Sequence, residues 1–416
     1  MNMPDNATLA ATYATVPGIP RTWAYVETGA TRDLRIDFMR GLVFVLLFTA
    51  HFDYLSAFMY IGWERVGVVS SAETFITLAG VVVGMVFGKR MQAEGFASCA
   101  SRLVDRAVQL YRVNVLLILS VGLIRLIPWI DATAITTFHD PYGGGTYQLY
   151  PTVESGLLYL LRQALLLRAG PHQFQVMGLY VALFLLTPFV FWMIRGGRLK
   201  LLLALSWIVY LINLGTPESN PGSAAIRVTG SQFEYAFPLV AWQLIFIHGV
   251  VAGYYRRPLL AFLSSPRGLP LVWLAIALSI VFMVFSLNHP IPALAEWARF
   301  HFIPPDVFGR LFNDWFLKYK LGPGRLLNEL VFLIAVYAVL TRFWTPLHKA
   351  LGGFLIPLGQ ASLYVFIVHV YLILLVSNTP LPALGNFWVN TCIHAGALGL
   401  VWVMIKREFL FRWIPR

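Results

Sequence analysis

The chain has 416 residues, 58% of them apolar and only 12% charged, well below the roughly 25% charged share of soluble domains. This excludes an ordinary soluble enzyme, and apolar runs repeatedly close to the roughly 20 residues of a bilayer-crossing helix exclude the alternating pattern of an outer-membrane barrel. The net charge of +12 reads as Lys and Arg facing anionic lipid rather than as a nucleic-acid surface, so no nucleic-acid partner is expected.

In chain order, residues 1–30 are polar and Pro/Thr/Ala-rich, with no basic region leading into an apolar core. They are read as a cytoplasmic tail, not a cleavable signal. Residues 31–416 are read as a single transmembrane domain, all-α, with about ten spans. These are predicted near 36–60, 70–88, 107–127, 174–194, 199–214, 235–255, 269–288, 326–342, 356–377 and 387–405. With the N-terminus inside, most basic residues fall on the inner side, which places both termini in the cytoplasm.

Two long outer segments, 128–173 and 289–325, interrupt this pattern. The first holds the Gly/Pro/Tyr-rich "DPYGGGTYQLYPT" and then "VESGLLYLLRQALLLR", whose leucines recur at helical spacing, as in a helix lying in the membrane interface. The second alternates aromatic with charged residues in "PALAEWARFHF" and "PDVFGRLFNDWFLKYK". Such loops either cap the bundle or offer rings and hydrogen-bonding groups to a sugar. The two cysteines, Cys99 and Cys392, suggest neither a disulfide framework nor a metal site.

Ionisable residues inside spans are functional candidates. The first span carries Arg40 and His51, which at helical geometry lie about 20° apart in azimuth and about 16 Å apart along the axis. Between them the same face presents Phe44, Leu47 and Phe48. Glu73 in "SSAETFITLAGVVVG" and His369 in "LGQASLYVFIVHVYL" are expected at a depth similar to His51. Asp53 points away from His51, and His248 is expected to pack or face water. A bridging role between helices stays open for His51, and more so for His369. A zinc site from His51, His369 and Glu73 has suitable ligand types but no supporting spacing, so no metal is expected. Arg102, Arg106 and Arg112 approach the third span from the side of Arg40. They read either as an ordinary positive-inside anchor or as a phosphate clamp.

The stretches "RDLRIDFMRGLVFVLLFTAH", "AETFITLAGVVVGMVFGKRM", "FPLVAWQLIFIHGVVAGYY" and "LGQASLYVFIVHVYL" resemble, in order and spacing, the OpgC branch of the membrane acyltransferase-3 superfamily, the osmoregulated periplasmic glucan succinyltransferases. A departure is "LAG" at residues 78–80, where many relatives have a serine before the glycine. The resemblance implies an acyltransferase-3-like helix bundle in the bacterial inner membrane. It also implies transfer of an acyl group from cytoplasmic acyl-CoA to a carbohydrate hydroxyl, with Arg40 and His51 as the family's arginine and histidine. On this reading Arg40, Arg106 and Arg112 dock the CoA phosphates and the pantetheine arm passes Phe44 and Phe48. His51 acts as general base or acyl carrier, Glu73 orients it or binds sugar, and His369 is a second proton carrier or oxyanion donor. Succinyl-CoA is the donor substrate and no permanently bound cofactor is expected. The expected partners are acyl-CoA, a periplasmic glucan and the lipid bilayer, with a second copy of the chain as an option. The competing readings are an acetyltransferase for another envelope glycan and a non-catalytic glycan or lipid carrier.

Overall fold

The computed structural model describes residues 21–26, 32–52, 54–62, 64–139, 145–216, 226–291 and 294–415. Asp53, residues 140–144 of the first outer segment and most of the 1–30 tail lie outside the described residues. The fold is all-α. Among the described residues its strands are one antiparallel ribbon, β1 (Thr137–His139) and β2 (Thr146–Gln148), with Phe138 opposite Tyr147.

Helix α1 (Leu34–His51) starts on Asp33, whose carboxylate accepts from the Arg35 amide, and stops at His51. The predicted first span, 36–60, is therefore too long. Beyond His51 the chain re-forms only a 3-10 turn, Ala57–Tyr60. Side chains far along the sequence supply the partners that a longer helix would have supplied. Asn390 donates to the Leu55 carbonyl (3.0 Å) and the Thr391 hydroxyl accepts from the Ala57 amide (3.0 Å).

Among the described residues the other helices of eight or more residues are α2 (Ser71–Glu94), α3 (Phe96–Ile124), α4 (Leu157–Leu165), α5 (Gln175–Arg195), α6 (Leu199–Gly215), α7 (Leu239–Tyr254), α8 (Arg256–Leu263), α9 (Leu269–Ser286), α10 (Pro305–Trp315), α11 (Pro323–Arg342), α12 (Trp344–Gln360), α13 (Ser362–Ser377) and α14 (Phe387–Lys406). Six of them, α2, α3, α5, α9, α11 and α14, are long and apolar enough to cross a membrane, or seven if α12 and α13 form one bent span. Ten spans exceed what length and composition support. Helix α1 carries Arg35, Asp37 and Arg40, while α6 and α7 have only 17 and 16 residues.

The predicted span 356–377 is not straight. Helices α12 and α13 meet at 89° beside Ala361. Pro357 removes a helical donor just before the break, and Ser362 Oγ donates to the Gly359 carbonyl (2.7 Å), satisfying an acceptor that the bend would strand. Past the corner, residues 361–370 are all buried, so α13 runs through the core and carries His369 into it.

Two backbone-to-backbone crossings set the packing. Gly80 and Gly84 of α2 face Gly249 and Gly253 of α7, and a Cβ at any of them would collide with a carbonyl of the other helix: Phe246, Val250, Thr77 and Val81 respectively. This is small-residue packing at four-residue spacing on both partners. In the same way Gly41 of α1 abuts the Leu355 carbonyl of α12, and Gly359 abuts the Asp37 carbonyl. The glycine left in "LAG" thus has a packing role.

Candidate active site

At the C-terminal end of α1, His51 Nδ1 lies 3.0 Å from His369 Nε2, with the rings stacked at 18°. His369 Nδ1 lies 2.7 Å from the Phe366 carbonyl. A carbonyl only accepts, so His369 carries its proton on Nδ1 and, when neutral, offers Nε2 as an acceptor. His51 therefore donates from Nδ1, and its lone pair is on Nε2. That nitrogen has no hydrogen-bond partner among the described residues, and the His51 side chain is only half-buried. His172, in "GPHQF" before α5, stands edge-on to His51 with ring centroids 5.9 Å apart, and its Nδ1 is buried without a partner. The sequence signal for it was an imidazole beside a proline at a span edge, a position comparable to that of Glu73.

Glu73 does not orient His51, to which it makes no hydrogen bond. It caps α2 by accepting from the Ser70 amide and hydroxyl, and its other oxygen accepts from Arg325 Nη1 (2.6 Å). Arg325 also donates to Glu64 (2.6 Å) and to the Phe316 carbonyl (2.9 Å), and is almost wholly buried. The capping position of Glu73 thus aims it at an arginine 252 residues away, a partner no local pattern reveals. Among the described residues no group of three or more His, Cys, Asp or Glu side chains is arranged to hold a metal ion.

Phe44 and Phe48 are fully buried. Phe44 packs edge-on against Phe75 (4.6 Å) and Phe366 (5.1 Å), while Phe48 packs against His369 (5.7 Å) and stacks on Phe52 (5.7 Å). The strip between Arg40 and His51 is a closed aromatic wall in this conformation.

At the other end of α1, basic residues divide into committed and uncommitted. Arg35 is buried, paired to Asp33 (2.8 Å), bonded to Thr341 (2.8 Å) and sandwiched between the Tyr25 and Tyr337 rings. Asp33 also accepts from Arg256 (2.6 Å) and Tyr337 (2.8 Å). Burial pushes the Asp33 carboxyl up, but the Arg35 hydrogen bond, the Arg35 and Arg256 charges and the Tyr337 hydroxyl outweigh it and bring it down to about 2. Arg32 is paired to Asp37 (2.6 Å). Arg40 is different: its Nε is buried without a partner, and it lies within electrostatic reach of Asp37 first, and then of Tyr180, Arg32 and Arg106. Arg106 is half-buried and donates to Gln109 (2.6 Å), whereas Arg112 is exposed on α3. Arg106 thus shares the electrostatic surroundings of Arg40 together with Asp37 and Arg32, and Arg112 is left on the surface. His248 belongs to neither end, accepting from Trp207 (3.1 Å) and bonding the Leu244 carbonyl (2.8 Å).

A helix with an under-satisfied arginine at one end and an oriented, proton-accepting imidazole at the other can hold an anionic group and activate a hydroxyl at separate points. A family model described as OpgC protein matches residues 32–412. No curated protein and no solved structure matches the chain.

Proposed function

The chain belongs to the OpgC family, and from that premise we propose that it is an O-acyltransferase moving a succinyl group from cytoplasmic succinyl-CoA to hydroxyls of osmoregulated periplasmic glucans. Membership implies an acyltransferase-type activity and a role in modifying those glucans. The observation that carries the finer reading is the His51–His369–Phe366 relay, which leaves the lone pair of His51 Nε2 available at the end of the same helix that carries Arg40.

In this reading the CoA phosphates sit at Arg40 and Arg106, where Arg40 keeps an unpaired buried donor and Asp37, the carboxylate nearest in effect, is already bonded to Arg32. The pantetheine arm crosses the Phe44–Phe48 wall, which requires those rings to part as the donor enters. At the far end His51 Nε2 takes the proton of a glucan hydroxyl as its oxygen attacks the thioester carbonyl. The C–S bond breaks, and the imidazolium returns its proton to the departing CoA thiolate, giving ester and free thiol. His369 holds the His51 tautomer and shares the charge that develops, while Glu73, held by Ser70 and Arg325, takes no part in the proton transfer.

The test is His51→Ala in membranes given labelled succinyl-CoA and glucan. Transfer is abolished while folding, read as a monodisperse detergent-solubilised protein, is retained. A normally active variant overturns the reading, and a wild-type protein that leaves the thioester uncleaved while moving glucan indicates a carrier.

A further inference from the structure

Lys318 lies on the segment between α10 and α11, and three buried donors from three helices clamp the carbonyls around it. Arg325 Nε of α11 holds the Phe316 carbonyl (2.9 Å), Trp242 Nε1 of α7 holds that of Tyr319 (3.3 Å), and the Tyr210 hydroxyl of α6 holds that of Leu321 (2.7 Å). The segment closes on itself through the Leu321 and Gly322 amides, which bond the Lys318 and Leu317 carbonyls at 3.0 Å each. A backbone fixed this thoroughly positions one side chain.

That side chain is half-buried and has no hydrogen-bond or ion-pair partner among the described residues. Its amine sits 5.8 Å above the Phe237 ring, a weak cationic contact that leaves its donors open. It is within electrostatic reach of both His51 and His172. It also senses Glu73, whose oxygens are already occupied by Arg325 and Ser70. A lysine held in this way beside a transfer site is suited to a small anion brought by the substrate, since an ammonium with free donors binds a carboxylate as a point charge.

We infer that Lys318 receives a carboxylate at the far end of the acyl group presented to His51, so that the site selects dicarboxylic mono-CoA thioesters over simple acyl donors. This rests on the acyltransferase reading above and names the residue that reads the donor's second carboxylate.

The experiment compares succinyl-CoA, its monomethyl ester and acetyl-CoA with the purified full-length protein. Wild type prefers succinyl-CoA over the neutral ester at least ten-fold in kcat/KM. In Lys318→Gln the ratio of kcat/KM for succinyl-CoA to that for acetyl-CoA falls at least ten-fold, and Lys318→Arg recovers most of it. A purely structural lysine lowers both donors together and leaves the ratio unchanged, which overturns the assignment. The wild-type comparison decides the matter where Lys318→Gln does not fold, because equal use of the free acid and its ester also overturns it. If wild type transfers no acyl group from any donor, the acyltransferase reading falls and the lysine assignment with it. If it transfers all of them without a carboxylate preference, only the lysine assignment falls.

Discussion

His51 donates from Nδ1 to Nε2 of His369 across 3.0 Å, and that one bond decides which nitrogen of His51 can accept a proton. His369→Ala removes both the tautomer control and the stacked ring. Transfer is expected to fall by about 10²-fold or more in kcat, with a smaller change in KM, because the reacting nitrogen is misassigned rather than the substrate lost. Steady-state kinetics on the purified variant check this. An unchanged kcat removes His369 from the relay.

Arg40 is expected to act on binding through phosphate. Arg40→Ala raises KM for an acyl-CoA by roughly ten-fold, the loss of one charge-assisted contact, and leaves use of a truncated acyl-pantetheine donor lacking the phosphates little affected. Comparable losses with both donors place Arg40 in the fold rather than at the phosphates.

Arg325 is the cation between two carboxylates. Arg325→Ala leaves Glu73 and Glu64 buried or partly buried without compensation, and is expected to destabilise by about 3–5 kcal/mol. The double variant Arg325→Met, Glu73→Gln recovers part of that, since the orphaned charge on the fully buried partner is gone. Thermal melts in detergent distinguish the two. An unshifted melting point for Arg325→Ala contradicts the network.

The α2–α7 crossing makes a prediction about size alone. Gly84→Val drives a side chain into the Val250 carbonyl and is expected to cost on the order of 1–3 kcal/mol or more. Gly396 on α14 has open space around it, so Gly396→Ala stays neutral or stabilises by up to about 1 kcal/mol. Matching effects at the two positions count against the crossing.

Asp33 sets an acid limit. Its carboxyl is lowered in the fold, to about 2 from an ordinary 3.8, so the folded state binds this proton less readily than the unfolded one. The stabilisation is fully present above pH 3.8 and is lost as pH falls through about 2, a contribution on the order of 2 kcal/mol. Asp33→Asn is expected to lower stability at neutral pH and to flatten the dependence between pH 4 and 2. A profile identical to wild type in that window refutes the assignment.

Much of the molecule was legible in the chain. Long Leu/Val/Phe/Ile runs announce membrane helices because every backbone group must be satisfied within the segment in lipid. Each predicted stretch accordingly contains a helix, with the order as expected. Spacing on one helix also linked Arg40 to His51, since helical pitch is a local property.

What the sequence could not supply was contact between elements. That α1 stops at His51 depends on Asn390 and Thr391 capturing the chain beyond it. That α12 lies backbone-to-backbone on α1 at Gly41 and Gly359 is likewise a contact between elements. The partner of Glu73, the pairing of His369 with His51, and the clamp around Lys318 join residues hundreds of positions apart, or on separate helices. By itself the sequence determined that this is a membrane helix bundle with an arginine and a histidine on one helix, because period and hydropathy are local. Only the tertiary structure decided which polar groups are consumed holding the bundle together and which are left over for chemistry, because in a buried site a polar group's availability depends on every neighbour that can satisfy it.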